Sequence, residues 1–342
     1  MTNGVQATEP AGEVRPESIG DVPVRVVNTY SRLWQFETWL RAMVYVELRA
    51  KLGDSWADDL KKKPGHQQAD ASLTHMPTAE SSALSYSQLP ALLELIETHW
   101  DCFETYFPPR DLWHAKLREV KQIRNRVAHF RAGHADDYAR ILQFLRDLDK
   151  SFWRYCTSYN NGQPFLPQRI NPVAKRFLPL DPLPFVEFEK KRWAQIGTRN
   201  KELPVGMTVH YQQRPWANVT TLKAGQPGLL YDIRLFAQDG RGLDYRRFLD
   251  RTRALHPHLV HVLLDSFSSE VRVTIPSVLG TKAIVALIEK CHEAAVNSIV
   301  RAAFSDKEAV IALASQWPEY VLGPENPLAF LSPDMPCSFF GV

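Results

Sequence analysis

The residues most suited to catalysis are an arginine, an asparagine and a histidine in the first half of the chain. They are Arg124, Asn125 and His129. A neutral imidazole, whose unperturbed pKa is about 6.5, can take the proton from a ribose 2′-hydroxyl, while a guanidinium stabilises charge on the scissile phosphate. Residues five apart on a continuous helix point about 140° apart. Arg124 and His129 therefore share a site only near a helix end or across a symmetric dimer. The spacing predicts a homodimer, and the chemistry requires no metal or other cofactor.

The segment that carries these residues is strongly basic. Residues 116–131 hold six basic side chains against one acid, a net charge of +5, whereas the whole chain of 342 residues carries +3. Because a phosphodiester is always negative and an arginine fork can hold two of its oxygens, we expect RNA to dock here. The candidate RNA-binding residues are Arg118, Lys121, Arg126 and Arg131. An exposed basic helix that binds nothing is the alternative.

The same arginine-to-histidine separation occurs twice more, in Arg251 with His256 and in Arg253 with His258. Neither arginine is followed by asparagine, and a proline separates the two histidines, so we predict that these histidines are structural. Together with His261 they raise the question of a metal site. No carboxylate or thiolate stands at a telling distance from them, and no metal site is predicted.

Four helices are predicted to position the Arg124–His129 pair. Apolar residues recur at three- and four-residue steps over residues 33–52, 86–107, 113–127 and 138–152. Residues 61–83 are polar and rich in turn formers, which predicts a loop between the first two helices. Arg124 and His129 fall at the far end of the third helix.

Glu37 and Arg41 are spaced for a salt bridge on the first predicted helix. Such a pair is worth only ~0.3–0.5 kcal/mol when exposed. We favour a structural role for both residues. The alternative is that they support the site by reaching it from behind Arg124.

The second half of the chain has a different periodicity. Six prolines between residues 163 and 204 predict a connection without long helices. Apolar residues then alternate over 207–211, 229–235, 260–264 and 271–275, as in strands, while 244–255, 279–304 and 307–316 have helical patterns. The fold class is therefore α+β overall, with an N-terminal all-α helical bundle followed by a C-terminal α+β domain.

Five segments follow from these patterns. We predict a mobile tail (1–25), a helical domain (26–160), a proline-rich linker (161–203), an α+β domain with a sensor or regulatory role (204–304) and a C-terminal extension (305–342).

Composition excludes several classes of protein. With 44% hydrophobic and 23% charged residues the chain can bury a core and is not disordered. The four cysteines form no C-x-x-C pair, which argues against a disulfide framework and a thiolate zinc site. No eighteen apolar residues run together, and the first twenty residues lack the pattern of a signal peptide. We expect a cytoplasmic protein that does not contact membranes.

The sequence Arg124-Asn-Arg-Val-Ala-His129 at a helix end resembles the motif of the HEPN superfamily, which is Arg-x4-6-His with a polar residue after the arginine. The resemblance extends upstream. Leu33-Trp-Gln-Phe-Glu37-Thr-Trp-Leu-Arg41 looks like the first helix of the Swt-like branch, and Tyr86-Ser-Gln-Leu with Trp100 and Phe103 looks like the second. It covers roughly residues 26–160.

The resemblance implies a metal-independent endoribonuclease that dimerises, so that the arginine and histidine of both subunits line one cleft. Arg124 would contact the scissile phosphate, His129 would act as general base or acid, and Asn125 would orient one of them or hold RNA. Toxins and antiviral effectors are frequent in the family, and a toxic nuclease implies a regulatory protein or ligand at the C-terminal domain.

Two other functions remain open at this point. In the first, the helical region is a non-catalytic RNA-binding or dimerisation module in a regulatory complex. In the second, the α+β half carries the function and the helices are a scaffold.

Overall fold

The computed structural model describes residues 22–61, 65–75, 84–149, 163–164, 171–190, 192–197, 203–218, 223–301, 306–317 and 320–326. The N-terminal region is mostly helical, and the C-terminal region combines strands and helices, so the predicted α+β class is confirmed. The predicted tail at residues 1–25 lies almost entirely outside the described residues.

The longest helix, α1, spans Val24–Leu52 and runs through the centre of the helical half. It begins earlier than its apolar stripe predicted, directly after Pro23. Apolar residues at three- and four-residue steps, including Leu33, Phe36 and Leu40, are buried. Gly53 ends α1 with φ +60°, a conformation that favours glycine, and a Cβ there would meet Val278 Cγ1 at 2.6 Å.

Two predictions in the following segment are wrong. The predicted loop, residues 61–83, contains the short helix α3 (Gly65–Ala71), and another short helix, α2 (Asp58–Lys61), ends at the first residue of that loop. The single helix predicted over 86–107 is two helices, α4 (Leu89–Thr98) and α5 (Trp100–Phe103). They separate because His99, at φ −118° and ψ 36°, leaves the helical conformation.

The third and fourth predicted helices are confirmed as α6 (Arg110–Ala128) and α7 (Asp137–Asp149). An aromatic cluster joins them to α1. The Trp113 ring stacks on Phe107 with centroids 4.0 Å apart and lies 6.0 Å from Phe144, whose ring meets the edge of Phe36 at 5.1 Å. Burial of these large rings fixes how α6 lies against α1.

All four predicted strands belong to one sheet. They are β4 (Val205–Gln213), β5 (Leu229–Ala237), β7 (His261–Leu264) and β8 (Glu270–Pro276). With β1 (Gln163–Pro164) and β10 (Val321–Leu322) at its edges, the order is β1-β4-β5-β8-β7-β10. The β10–β7 pair is parallel and the other pairs are antiparallel.

Helices cover one face of this sheet. They are α8 (Pro172–Phe177), α9 (Tyr245–Thr252), α10 (Thr281–Val296) and α11 (Lys307–Ala314). Asp244 and Asp306 cap α9 and α11, because each carboxylate accepts a backbone N–H of the first turn. The helix predicted to run to residue 304 ends at Val296, since β9 (Ile299–Val300) pairs with β6 (Gly242–Leu243).

The segment predicted as a linker contains regular structure. Besides α8 it holds the hairpin of β2 (Phe185–Glu189) and β3 (Arg192–Gln195). Asn171 caps α8, and its amide nitrogen donates to the Tyr231 hydroxyl at 2.8 Å. Val173 and Phe177 are buried in the core of the second half. The proline-rich stretch is therefore partly built into the α+β fold, and the domain boundaries stay a prediction.

The two halves of the chain meet at the C-terminal part of α1. The Glu47 carboxylate and the Arg214 guanidinium are both 0% exposed and form an ion pair, with Arg214 Nε 3.1 Å from Glu47 Oε1. The Tyr106 hydroxyl and the Trp216 indole N–H also donate to Glu47, at 2.9 and 2.5 Å. Nearby, Arg49 Nη2 donates to the Leu259 carbonyl oxygen at 2.8 Å.

Two further features bear on chemistry. Cys102 and Cys291 are free and buried, whereas Cys156 and Cys337 lie outside the described residues. Among the described residues, no helix is long and apolar enough to cross a bilayer.

We expect Arg214→Met to reduce the free energy of unfolding by about 3–5 kcal/mol, because it leaves the Glu47 carboxylate buried without its counter-charge. The double variant Glu47→Gln/Arg214→Met removes both charges and should regain part of that loss. Urea unfolding followed by circular dichroism measures both values. Arg176→Met is the control, since its partner Glu289 is exposed and the pair is expected to contribute less than ~1 kcal/mol. An Arg214→Met protein as stable as the parent would contradict the assignment.

Candidate functional site

The end of α6 places Arg124, Asn125 and His129. Helix α6 ends at Ala128, and His129 is the residue that caps it, with φ −100° and ψ 21°. Phe130 follows in the left-handed region at φ 54°. The chain therefore turns away from the helix at His129, which confirms the prediction that the Arg124–His129 pair lies at a helix end.

Arg124 lines an open cleft of about 510 Å³ between α1 and α6. The α1 wall consists of residues at helical spacing, and residue Ser85 closes one side. The lining residues are Tyr30, Leu33, Trp34, Glu37, Thr38, Arg41, Ser85, Arg124, Val127 and Ala128. The cleft thus combines aromatic rings with two guanidinium groups and one carboxylate.

Glu37 connects the two arginines of the cleft. Its Oε1 accepts from Arg41 Nη2 at 2.8 Å, and its Oε2 lies 3.9 Å from Arg124 Nε. Arg41 also donates to the carbonyl oxygens of Leu84 and Ser87, at 3.0 and 3.1 Å. Three hydrogen bonds therefore tie Arg41 to the protein itself. Arg124 is 30% exposed and, with five N–H donors on a guanidinium, keeps most of them available to a ligand.

The sequence predicts a structural salt bridge between Glu37 and Arg41, with support of the site from behind Arg124 as the alternative role. The salt bridge between them exists, and Glu37 also contacts Arg124. Sequence spacing alone gave only the first contact, because the second joins residues on different helices.

His129 and Asn125 are exposed, and neither lines the cleft. Among the described residues, neither side chain has a hydrogen-bond partner. One copy of the chain therefore brings Arg124 into the cleft and leaves His129 just beyond its edge. The helical angle allowed a shared site near a helix end or across a symmetric dimer. The helix end alone does not bring both residues into the cleft, and the dimer stays a prediction.

The four predicted RNA-binding residues differ in how free their charges are. Arg126 donates to both carboxylate oxygens of Asp137, with Nε 3.0 Å from Oδ2, so its charge is neutralised within the chain and it ties α6 to α7. Arg118, Lys121 and Arg131 have no ion-pair partner among the described residues. Arg118 and Lys121 line a second groove, of about 360 Å³, between α4 and α6.

The histidines of the second half have separate surroundings. His256 is buried, shares a hydrogen bond with the Thr252 hydroxyl at 3.1 Å and lies 5.0 Å from the Trp317 ring. His258 Nδ1 is 2.6 Å from Asp54 Oδ2. Burial and then Arg49 lower the pKa of His261 to about 3. In the part of the chain that the structure describes, no three potential metal ligands come together.

Comparison with known families identifies the N-terminal region. Residues 32–151 match the model of the Swt1-like HEPN family. The N-terminal region is a Swt1-like HEPN domain. The match spans about a third of the chain and includes α1 from Arg32, Arg124 and His129. Comparisons with curated proteins and with solved structures find no match. A HEPN domain supports an RNA-related role, as a nuclease or as an RNA-binding module.

Sequence reasoning missed two residues of the cleft, Tyr30 and Trp34. Both are large and apolar and stand four apart on α1, a spacing that also describes a core stripe. Only the structure shows that these two rings are exposed, at 57% and 60%, whereas Phe36 and Leu40 on the same helix are buried.

We expect His256 to make the folded protein sensitive to acid. Burial, followed by the charge of Arg253, lowers the pKa of His256 to about 4. The unfolded chain takes up this proton at a pKa of about 6.5, so below that pH protonation favours the unfolded state. The free energy of unfolding should therefore fall by on the order of 3 kcal/mol as the pH drops from about 6.5 toward 4.

Unfolding free energies of the parent and His256→Gln between pH 7 and 4.5 measure this effect. The variant should show a shallower decline, and the His256 ring followed by NMR should stay neutral to about pH 4. A ring that titrates near 6.5, or equal slopes for the two proteins, would show that the burial does not act on this proton.

Proposed function

We propose that this protein is a metal-independent endoribonuclease that cleaves RNA by attack of a 2′-hydroxyl. The observation that carries the proposal is the position of Arg124, which lines an open cleft and keeps guanidinium N–H donors available to a ligand. His129 caps the same helix little more than one turn later. The HEPN match supports an RNA-related role for this region. No metal or other cofactor takes part in the proposed reaction.

In the proposed reaction His129 accepts the proton of the 2′-hydroxyl, and the resulting oxygen attacks the adjacent phosphorus. The bond from phosphorus to the 5′-oxygen breaks, and that oxygen takes up a proton. The products carry a 2′,3′-cyclic phosphate and a 5′-hydroxyl. Arg124 pairs with the non-bridging oxygens as charge develops on them. Glu37 limits how far the Arg124 guanidinium can turn. Asn125 orients one of these groups or holds RNA.

The complete site is proposed to form in a homodimer. Arg124 and His129 of one copy do not line the same cleft, and a twofold axis near the end of α6 would bring two such pairs together. Phe130, next to His129, is 97% exposed. An apolar ring left in water at this position supports a contact with another copy.

Basic residues along α6 extend the proposed RNA path beyond the cleft. Lys121 is one turn before Arg124 and Arg118 nearly two turns before it. Both line the groove that follows the cleft along α6, on the wall opposite Glu94 and Glu97 of α4. Arg131 is exposed beyond the helix end. Arg126 is the weakest member of the predicted set, because Asp137 already neutralises it.

A second function is favoured by a specific observation. Since His129 does not line the Arg124 cleft, the HEPN domain would be a non-catalytic RNA-binding or dimerisation module if no second copy completes the site. The two functions share the RNA contacts and differ in the proton transfer.

By analogy with the family alone, we place the enzyme among toxins or antiviral defence effectors of the cytoplasm. The C-terminal α+β region would then recruit or sense a regulatory protein or ligand. Its packing against α1, the helix that forms one wall of the cleft, supports a regulatory role.

We expect the purified full-length protein to cut single-stranded RNA in EDTA and to leave 2′,3′-cyclic phosphate ends. Arg124→Ala and His129→Ala should each lower the rate by about 100-fold or more, as expected when charge stabilisation or general acid–base catalysis is removed. Gel analysis of end-labelled RNA measures the rate, and sedimentation velocity checks that the oligomeric state is retained.

The chain offers matched controls in its second arginine–histidine region. Arg251→Ala and His258→Ala remove residues of the same types outside the cleft and should cut at the parent's rate. Full activity in both Arg124→Ala and His129→Ala would show that the site is misassigned. RNA binding without cleavage by the parent, under conditions in which it is dimeric, would favour the binding module.

A further inference from the structure

Two large aromatic side chains are exposed on the α1 wall of the cleft. Trp34 is 60% exposed and Tyr30 57% exposed, and both line the cleft together with Arg124. In the part of the chain that the structure describes, neither ring contacts another aromatic ring or has a hydrogen-bond partner. Most other large aromatic residues of the helical half, such as Phe36, Phe103 and Trp113, are buried.

The spacing of the two rings would let two flat groups bind side by side along α1, one on each ring. Four residues separate them, so they lie on the same face of α1 about 6 Å apart along the helix axis. The same row continues with Glu37 and Thr38, and Glu37 is the contact of Arg124. The aromatic pair therefore lies directly beside the guanidinium that is proposed to hold the scissile phosphate.

Neighbouring apolar rings in water indicate that something covers them in function. Two occupants fit the shape, namely unpaired nucleobases and a second copy of this chain. The charges favour nucleobases. The cleft holds Arg41 and Arg124 against Glu37, so its net charge is positive. In the neighbouring groove Lys121 and Arg118 are balanced by Glu94 and Glu97, so only the cleft has an excess of positive charge. RNA carries the opposite charge to this cleft.

We propose that Trp34 and Tyr30 are a stacking platform for unpaired nucleobases next to the phosphate bound by Arg124. This inference rests on the proposed function and specifies its substrate as single-stranded RNA. Bases within a duplex are stacked on each other and cannot lie on a protein ring, while unpaired bases of any identity can. A volume of about 510 Å³ lies within the ~300–1,000 Å³ typical of ligand sites.

The test measures binding of a 2′-O-methyl single-stranded oligonucleotide, which has the phosphates and bases of RNA but lacks the attacking hydroxyl. Trp34→Ala should weaken binding about 10-fold or more, within the range for loss of one base–aromatic stack, and Trp34→Phe should recover most of it. Tyr30→Ala should have a smaller effect in the same direction. Phe267→Ala, at a ring 68% exposed in the loop between β7 and β8, is the control and should bind like the parent.

An abasic oligonucleotide separates base stacking from other roles of Trp34. A single abasic site is placed at each position of the strand in turn, and its effect on the binding free energy is measured with the parent and with Trp34→Ala. At one position the abasic site should weaken binding by the parent but not by Trp34→Ala, because both changes remove the same stack. Additive losses at every position would overturn the inference. A parent protein that prefers duplex RNA to the single strand would also overturn it.

Three further outcomes distinguish the inference from the proposed function. If Arg124→Ala weakens binding and Trp34→Ala does not, the platform is wrong and the nuclease proposal stands. If Trp34→Ala converts a dimer into a monomer in sedimentation velocity, the second copy covers this face and the inference fails. If the parent neither binds the oligonucleotide nor cuts RNA, both the proposed function and the stacking platform are wrong.

Discussion

A buried ion pair, Glu47 with Arg214, ties the HEPN domain to the rest of the chain. Both groups are fully removed from water, so each must be satisfied by the other and by neighbouring donors, and Tyr106 and Trp216 complete the set around the carboxylate. Glu47 belongs to α1, Tyr106 follows α5, and the two other partners follow strand β4. Three separate parts of the chain are thereby held at one carboxylate, and any movement of α1 against the α+β region would leave a charge buried alone.

The same helix carries the cleft at its other end. Glu37 and Glu47 are ten residues apart, which corresponds to about 15 Å along α1. A helix of this length behaves as a rigid rod over that distance, and Glu37 lies within 3.9 Å of Arg124 Nε. A ligand or protein that shifted the loop of Arg214 would therefore act on the cleft through α1 without any flexible linker. The C-terminal region packs against the helix that forms one wall of the cleft, and the segment predicted as a linker is partly folded into that region.

Local periodicity predicted most of the elements, because the side chains of one helical or strand face must share an environment. The third helix with its apolar stripe, the four strands of the sheet and the position of His129 at a helix end were all readable in this way. Contacts between distant residues were not. Glu47 and Arg214 are 167 residues apart, and nothing in either neighbourhood identifies the partner. Trp34 and Phe36 are likewise both aromatic residues of α1, and only packing decides that one faces water and the other the core.

The remaining difference between an enzyme and a binding module lies in how His129 could reach Arg124. Three backbone hydrogen bonds hold the turn after α6, from the N–H groups of His129, Phe130 and Arg131 to the carbonyl oxygens of Asn125, Val127 and Arg126. The Arg126–Asp137 pair fixes the same turn against α7. Unwinding the turn to move the imidazole into its own cleft would break these interactions, whereas docking a second copy at the exposed Phe130 would break none of them. If the site is catalytic, assembly of two chains is the less costly way to complete it.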